Sequence, residues 1–206
     1  VPLQNRVDPF GRILAVPERG LLMGNRGGRL HDPATRTLLG RTFASRRWIC
    51  CTLAERGRPR RVMGAGYTEL FFLDEVVALA AGHRPCFACR GDAARAFAHA
   101  FGGASAMSAP TAEAIDHRLH AERRSAERPD PARRRHAAGA LPDGAIYAAE
   151  GTAFALRGSR RLKFGFGGWS DAGPRPDGPL ALLTPLSTLA ALAHGYRPLW
   201  HPSADV

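Results

Sequence analysis

Apolar positions in the first third of the chain come in short blocks set between glycine, proline and arginine, the spacing of strands rather than helices. Residues 20–24 and 29–31 flank Asn25-Arg26-Gly27-Gly28, a run rich in residues that tolerate positive φ, and so predict a hairpin. A second hairpin is predicted between 47–53 and 61–63, across the loop that holds Gly57 and Pro59. A strand over 67–72 then feeds a short helix over 75–81, with Asp74 placed to cap its start and Gly82 to end it. Ala93, Phe97 and Phe101 return at helical spacing and predict a second helix, capped by Asp92. Gly102-Gly103-Ala104-Ser105 reads as a hinge, and a third helix runs from 110 to 127, where Pro129 and Pro131 end it. Strands return over 145–149, 152–156 and 160–164, with turns at Glu150-Gly151 and Gly158-Ser159. A last helix follows Thr184-Pro185 and stops at Gly195.

Together these elements predict an α+β fold. β-Hairpins and short helices surround a Cys-rich site, and a basic helix and a small β-rich C-terminal part follow. At 206 residues the chain suits a single domain with one sizeable core. It divides into an α/β part (1–102), a helix and loop rich in arginine (103–140) and the β-rich end (141–206). The helix exit at 192–198, Leu-Ala-His-Gly-Tyr-Arg-Pro, echoes 79–85, Leu-Ala-Ala-Gly-His-Arg-Pro. Nothing else recurs, so this is one helix-stop used twice rather than a repeat.

Charge changes the picture more than composition does. Lys and Arg number 29 against 18 Asp and Glu, a formal charge of +11, and all of the basic residues but Lys163 are arginine. A surface of that sign favours a polyanion, nucleic acid first and DNA in particular, because each neutralised phosphate releases counterions. An acidic protein is the rival partner. The first residues lack the apolar core of a secretory signal. The most apolar run, 180–193, is broken by Thr184, Pro185, Ser187 and Thr188, too interrupted to span a bilayer. No membrane is expected, and four cysteines without a signal suit a reducing, cytoplasmic location rather than a disulfide scaffold.

The definite chemistry lies at Pro85-Cys86-Phe87-Ala88-Cys89. Two thiolates two residues apart on a turn reach one metal ion without strain, which is why half of a structural zinc site so often has this spacing. The other half must come from elsewhere. If 48–53 is a strand, Cys50 and Cys51 point to opposite faces, so only one of them joins the set. The reading is one Zn2+ held by Cys51, Cys86 and Cys89, completed by His31 or Cys50, in a closed structural site. No thioredoxin-like pattern surrounds the pair, which argues against a redox dithiol.

Residues 66–90 resemble the metal-binding domain of Ada-type DNA repair proteins. There too a short strand with paired aromatics precedes a helix ending in Ala-Gly-aromatic-Arg-Pro, which leads directly into Cys-x-x-Cys. The resemblance covers about an eighth of the chain, and its first cysteine pair differs, being adjacent here and spaced Cys-x-x-x-Cys in the family. It implies a zinc-binding fold associated with nucleic acid and, within that, a role in DNA repair.

Three further groups carry candidate chemistry. Arg118, Arg123, Arg124, Arg133, Arg134 and Arg135 could lie along a phosphate backbone, since guanidinium binds phosphate bidentately. Glu122 falls on the apolar stripe of the third helix with Ile115 and Leu119, near Asp116 and His120. A carboxylate on a packed face must be paired or shifted, and a carboxylate–histidine set of this kind could act as acid and base. Phe166 and Trp169, interleaved with glycine beside Arg160, Arg161 and Lys163, could stack bases in a basic groove. The sequence therefore reads as a zinc protein that binds or processes nucleic acid. A lesion-processing hydrolase and a basic protein-interaction module are the alternatives.

Overall fold

Most of the chain folds around one short helix. A computed structural model describes residues 1–53, 61–103, 109–126 and 135–205. In it the first-third blocks form six strands, β1 (Arg6–Val7), β2 (Ile13–Leu14), β3 (Leu22–Arg26), β4 (Trp48–Thr52), β5 (Leu70–Phe72) and β6 (Arg84–Pro85). Their order in the sheet is β2-β1-β5-β3-β4-β6. The helices are α1 (Glu75–Ala80), α2 (Gly91–Gly103), α3 (Ala112–Ala126) and α4 (Leu186–Ala193). The second sheet holds β7 (Arg135–Ala137), β8 (Ile146–Ala149), β9 (Thr152–Arg157), β10 (Arg160–Gly165), β11 (Gly168–Pro174) and β12 (Pro179–Leu182). Its order is β11-β10-β9-β8-β12-β7, every pairing antiparallel. The fold is α+β, as the apolar pattern predicts.

Neither predicted hairpin of the first third forms. β3 pairs with β4 on one side and β5 on the other, and residues 29–31 make only a single bridge, His31 to Leu38. The chain leaves β3 at Gly27, whose amide donates to the Asn25 side chain at 2.9 Å, and the loop folds back so that Ala44 N and Ser45 N both donate to Arg26 O. β4 can run so close to β3 because Gly24 lacks a side chain: a Cβ there would sit 2.1 Å from the Ile49 carbonyl oxygen. Residues 61–63 lie outside every strand, and buried Met63 has φ +55°. The hinge expected at Gly102-Gly103 is instead the last turn of α2, and residues 104 and 105 lie outside the described set.

All six residues of α1 are buried, which is why Glu75-Val-Val-Ala-Leu-Ala has no polar face. Leu73, Val76, Val77 and Ala80 pack on Ile146, Ala153, Ala155, Leu162 and Trp169 of the second sheet. Ala78 and Ala81 face Leu22, Cys50, Leu70 and Phe72 of the first, and Leu79 meets Phe97, Ile115, Leu119 and Leu192 of the other helices. Asp74 caps the helix by accepting from Val77 N at 3.0 Å, and Gly82 leaves it at φ +81°. No helix among the described residues is long and apolar enough to cross a membrane.

Candidate metal centre

Period-two alternation in β4 separates the two adjacent cysteines. Cys50 is fully buried among Val7, Leu22 and Leu70, whereas Cys51 faces the opposite side. β6 runs parallel to β4, with Cys50 opposite Pro85, so Cys86 begins its turn beside Cys51, and the Cys86 amide donates to Cys50 O at 2.9 Å. Arg90 N closes the turn on Cys86 O at 2.9 Å, and α2 starts at the next residue. The sulfurs of Cys51, Cys86 and Cys89 then lie within 4.8 Å of one another. Tetrahedral metal–sulfur bonds of about 2.3 Å require sulfur–sulfur edges of about 3.8 Å. The three are thus within a small contraction of a common ion.

The electrostatics of the turn suit a metal. The Cys51 thiol donates to Cys86, and the amides of Cys89 and Ala88 point at the same sulfur, so that against the effect of burial Cys86 is held down to about 4. Cys51 is pushed up because it is the donor of that bond and is itself desolvated. Cys86 is accordingly ready as a thiolate, the form that binds metal. The four cysteines form no disulfide.

Neither residue expected to complete the set does so. Cys50 points into the core, where burial pushes its thiol up and Arg90 Nη1 donates to its sulfur at 3.2 Å. His31 is fully buried and spends both ring nitrogens elsewhere. Its Nε2 donates to Gly64 O at 2.8 Å, and its Nδ1 accepts from Thr68 Oγ1 at 2.6 Å. Among the described residues no further His, Cys, Asp or Glu joins the three sulfurs.

Directly behind the turn stands a network the sequence reading missed. Arg90 binds Glu75 through both terminal nitrogens at 2.8 Å, Tyr196 Oη donates to the same carboxylate at 2.6 Å, and Leu199 N donates at 2.8 Å. Burial works against the Arg90 charge, but Glu75 more than offsets it and leaves Arg90 raised. Beside it Asp74 accepts from Trp169 Nε1 at 2.6 Å and His201 N at 2.9 Å, so two successive carboxylates fasten the C-terminal segment to α1. A signal was present: an acidic residue directly after the cap of an otherwise apolar helix. A cavity of about 750 Å3 opens over this network, walled by Ala93, Ala96, Ala100 and Pro198 with His99, His194 and Arg197 around it. Its charged floor, Glu75 and Arg90, is already paired with itself.

The proposed acid/base set does not converge. Asp116 is bidentate to Arg84 at 2.8 and 2.7 Å, His120 stands edge-on to Phe43, and Glu122 accepts from Arg118 Nε at 3.0 Å and from Ser187. By accepting from Ser187 N at 3.2 Å, Glu122 supplies the cap that Pro185 cannot give to α4. Glu122→Gln keeps an acceptor there, so it is expected to cost only about 1 kcal/mol. Calorimetry should show melting lowered by about 2–4 °C. A folded variant that has lost a hydrolytic activity of the wild type would contradict this assignment.

Of the residues expected to meet nucleic acid, several are engaged inside the protein. Trp169 is 4% exposed and belongs to the core around α1, so it is no stacking platform. Arg123 reaches Gly82 O at 2.7 Å and Arg46 O at 2.9 Å, with its guanidinium 4.2 Å from the Trp48 ring centroid. Arg160 pairs with Asp171, Arg161 donates to Ala172 O at 2.8 Å, and the Phe166 ring packs edge-on against Phe164. Arg118 is held by Glu122 and Ser187. Arg124 and Lys163 are exposed. Arg135 opens β7, and Arg133 and Arg134 lie outside the described residues.

The fold and this site define an α+β protein with a three-cysteine cluster able to hold a metal ion. No protein-family model, curated protein or solved structure matches the chain.

Proposed function

We propose that this chain is a zinc-binding protein of the cytoplasm that binds nucleic acid, DNA first, with a role in repair. The observation that carries the metal half is the meeting of Cys51, Cys86 and Cys89 within 4.8 Å, one from a strand and two from a turn closed by backbone bonds. Soft thiolates select zinc over the hard cations. Zinc there would join β4 to the turn that starts α2, a structural task, with a fourth donor from outside the three sulfurs. Four free cysteines suit a reducing compartment.

The nucleic-acid half rests on the +11 charge and on the resemblance of residues 66–90 to the Ada-type metal-binding domain. The hydrolase alternative is disfavoured by the dispersal of Asp116, His120 and Glu122 to separate partners. Titration of the zinc-loaded protein against a fluorescent duplex at increasing salt tests the reading. The logarithm of the affinity should fall linearly and steeply with the logarithm of salt. No binding at about 50 mM salt would favour the acidic-protein partner instead.

A further inference from the structure

We infer that the phosphate backbone is met by one surface, formed by the loop between β3 and β4 with the last turn of α3, through Arg41, Arg46, Arg47 and Arg124. The inference rests on the nucleic-acid reading above and assigns it a place. All four side chains are exposed, and none has an ion-pair partner among the described residues. Several outlying arginines elsewhere carry one: Arg12 has Asp8, Arg95 has Asp92, Arg157 has Asp205 and Arg160 has Asp171. A guanidinium already paired with a carboxylate offers a phosphate less charge than a free one. Arg19, Arg29, Arg61 and Arg197 are exposed without an ion pair among the described residues too, but each stands on its own segment of the chain, whereas Arg41, Arg46 and Arg47 share one loop that α3 packs against.

The surface is also built. Arg26 O takes the amides of Ala44 and Ser45, and Arg123 pins the loop through Arg46 O. Phe43 packs edge-on against His120 of α3, with ring centroids 5.3 Å apart. Beneath the loop Trp48 carries two guanidiniums over its ring, Arg26 at 4.0 Å and Arg123 at 4.2 Å from its centroid. Burial lowers Arg26 to about 9 and Arg123 to about 10, so both stay charged at neutral pH and add to the potential of the exposed four. Trp48 is 8% exposed, so its ring is no platform for bases, and the surface reads phosphates rather than sequence.

The test uses the zinc-loaded full chain and two duplexes of unrelated sequence, followed by anisotropy as salt rises. Alanine at all four positions should flatten the salt slope by about 3 to 4, at about 0.9 for each phosphate contact, with equal loss on both duplexes. Lysine at the same four positions should restore most of the slope, because it keeps the charge. Alanine at Arg12, Arg95 and Arg157 should change it by less than about 1. Binding by the wild type with an unchanged slope in the alanine variant would overturn the placement, as would failure of the lysine variant or equal flattening by the remote set. Wild-type protein that binds neither duplex would overturn the nucleic-acid reading itself.

Discussion

Replacing Cys86 with serine should empty the metal site and remove a large part of the protein's stability. A metal on the cluster would reinforce the pairing that joins β4 to the turn that starts α2, and Cys86 receives the Cys51 thiol and two backbone amides. Structural zinc contributes folding free energy directly, roughly 10–16 kcal/mol in isolated zinc-finger peptides. This chain has a core of its own, so the loss here should be smaller, yet several kcal/mol out of a total of about 5–15 is large. Zinc measured by elemental analysis should drop from one per chain to near zero, and melting should fall by more than about 10 °C. Cys51→Ser should behave alike. Cys50→Ala should retain its zinc, because that side chain faces the core on the other side of the strand. Loss of zinc on changing Cys50 but not Cys51 would reverse the assignment.

Glu75→Ala is the second large effect. It leaves the Arg90 guanidinium, whose side chain is 10% exposed, without its carboxylate, and leaves the Tyr196 hydroxyl and Leu199 amide without an acceptor. Breaking a buried pair from one side costs about 3–5 kcal/mol, and each stranded donor adds about 1–3. The sum is comparable with the stability of a whole domain, so the variant should be unfolded or nearly so in urea titrations. Glu75→Gln keeps an acceptor for Tyr196 and should fall between the two. Arg90 directly follows Cys89, so zinc should also leave the glutamine variant sooner under chelator than it leaves the wild type. Near-normal stability of Glu75→Ala would mean that the network does not hold the C-terminal segment to α1.

What the sequence disclosed was local. Asp74 as cap, Gly82 as stop and the helix between them depend on neighbours a few residues away, and all three are found as read. The same holds for β8, β9 and β10, which are joined by tight turns at Gly151 and Gly158. The separation of Cys50 from Cys51 needed only the two-residue period of a strand. The first sheet was illegible because its pairings are distant: β1 lies beside β5, and β4 beside β6. That error misplaced His31, since the hairpin expected to present it does not form and the ring is captured by Thr68 and Gly64. β11 was hidden by its composition, Gly-Trp-Ser-Asp-Ala-Gly-Pro, which has almost no apolar alternation. Trp169 and Arg123 were read as surface groups because nothing nearby in sequence reveals Asp74 or Trp48, the partners that bury them.

The central claim is a zinc ion on Cys51, Cys86 and Cys89, and X-ray absorption at the zinc edge of the purified protein tests it most directly. The account predicts three sulfur scatterers at about 2.3 Å and one oxygen or nitrogen at about 2.0–2.2 Å. Protein that carries no zinc, or a shell of four sulfurs that could close only by recruiting Cys50 from the core, would contradict it.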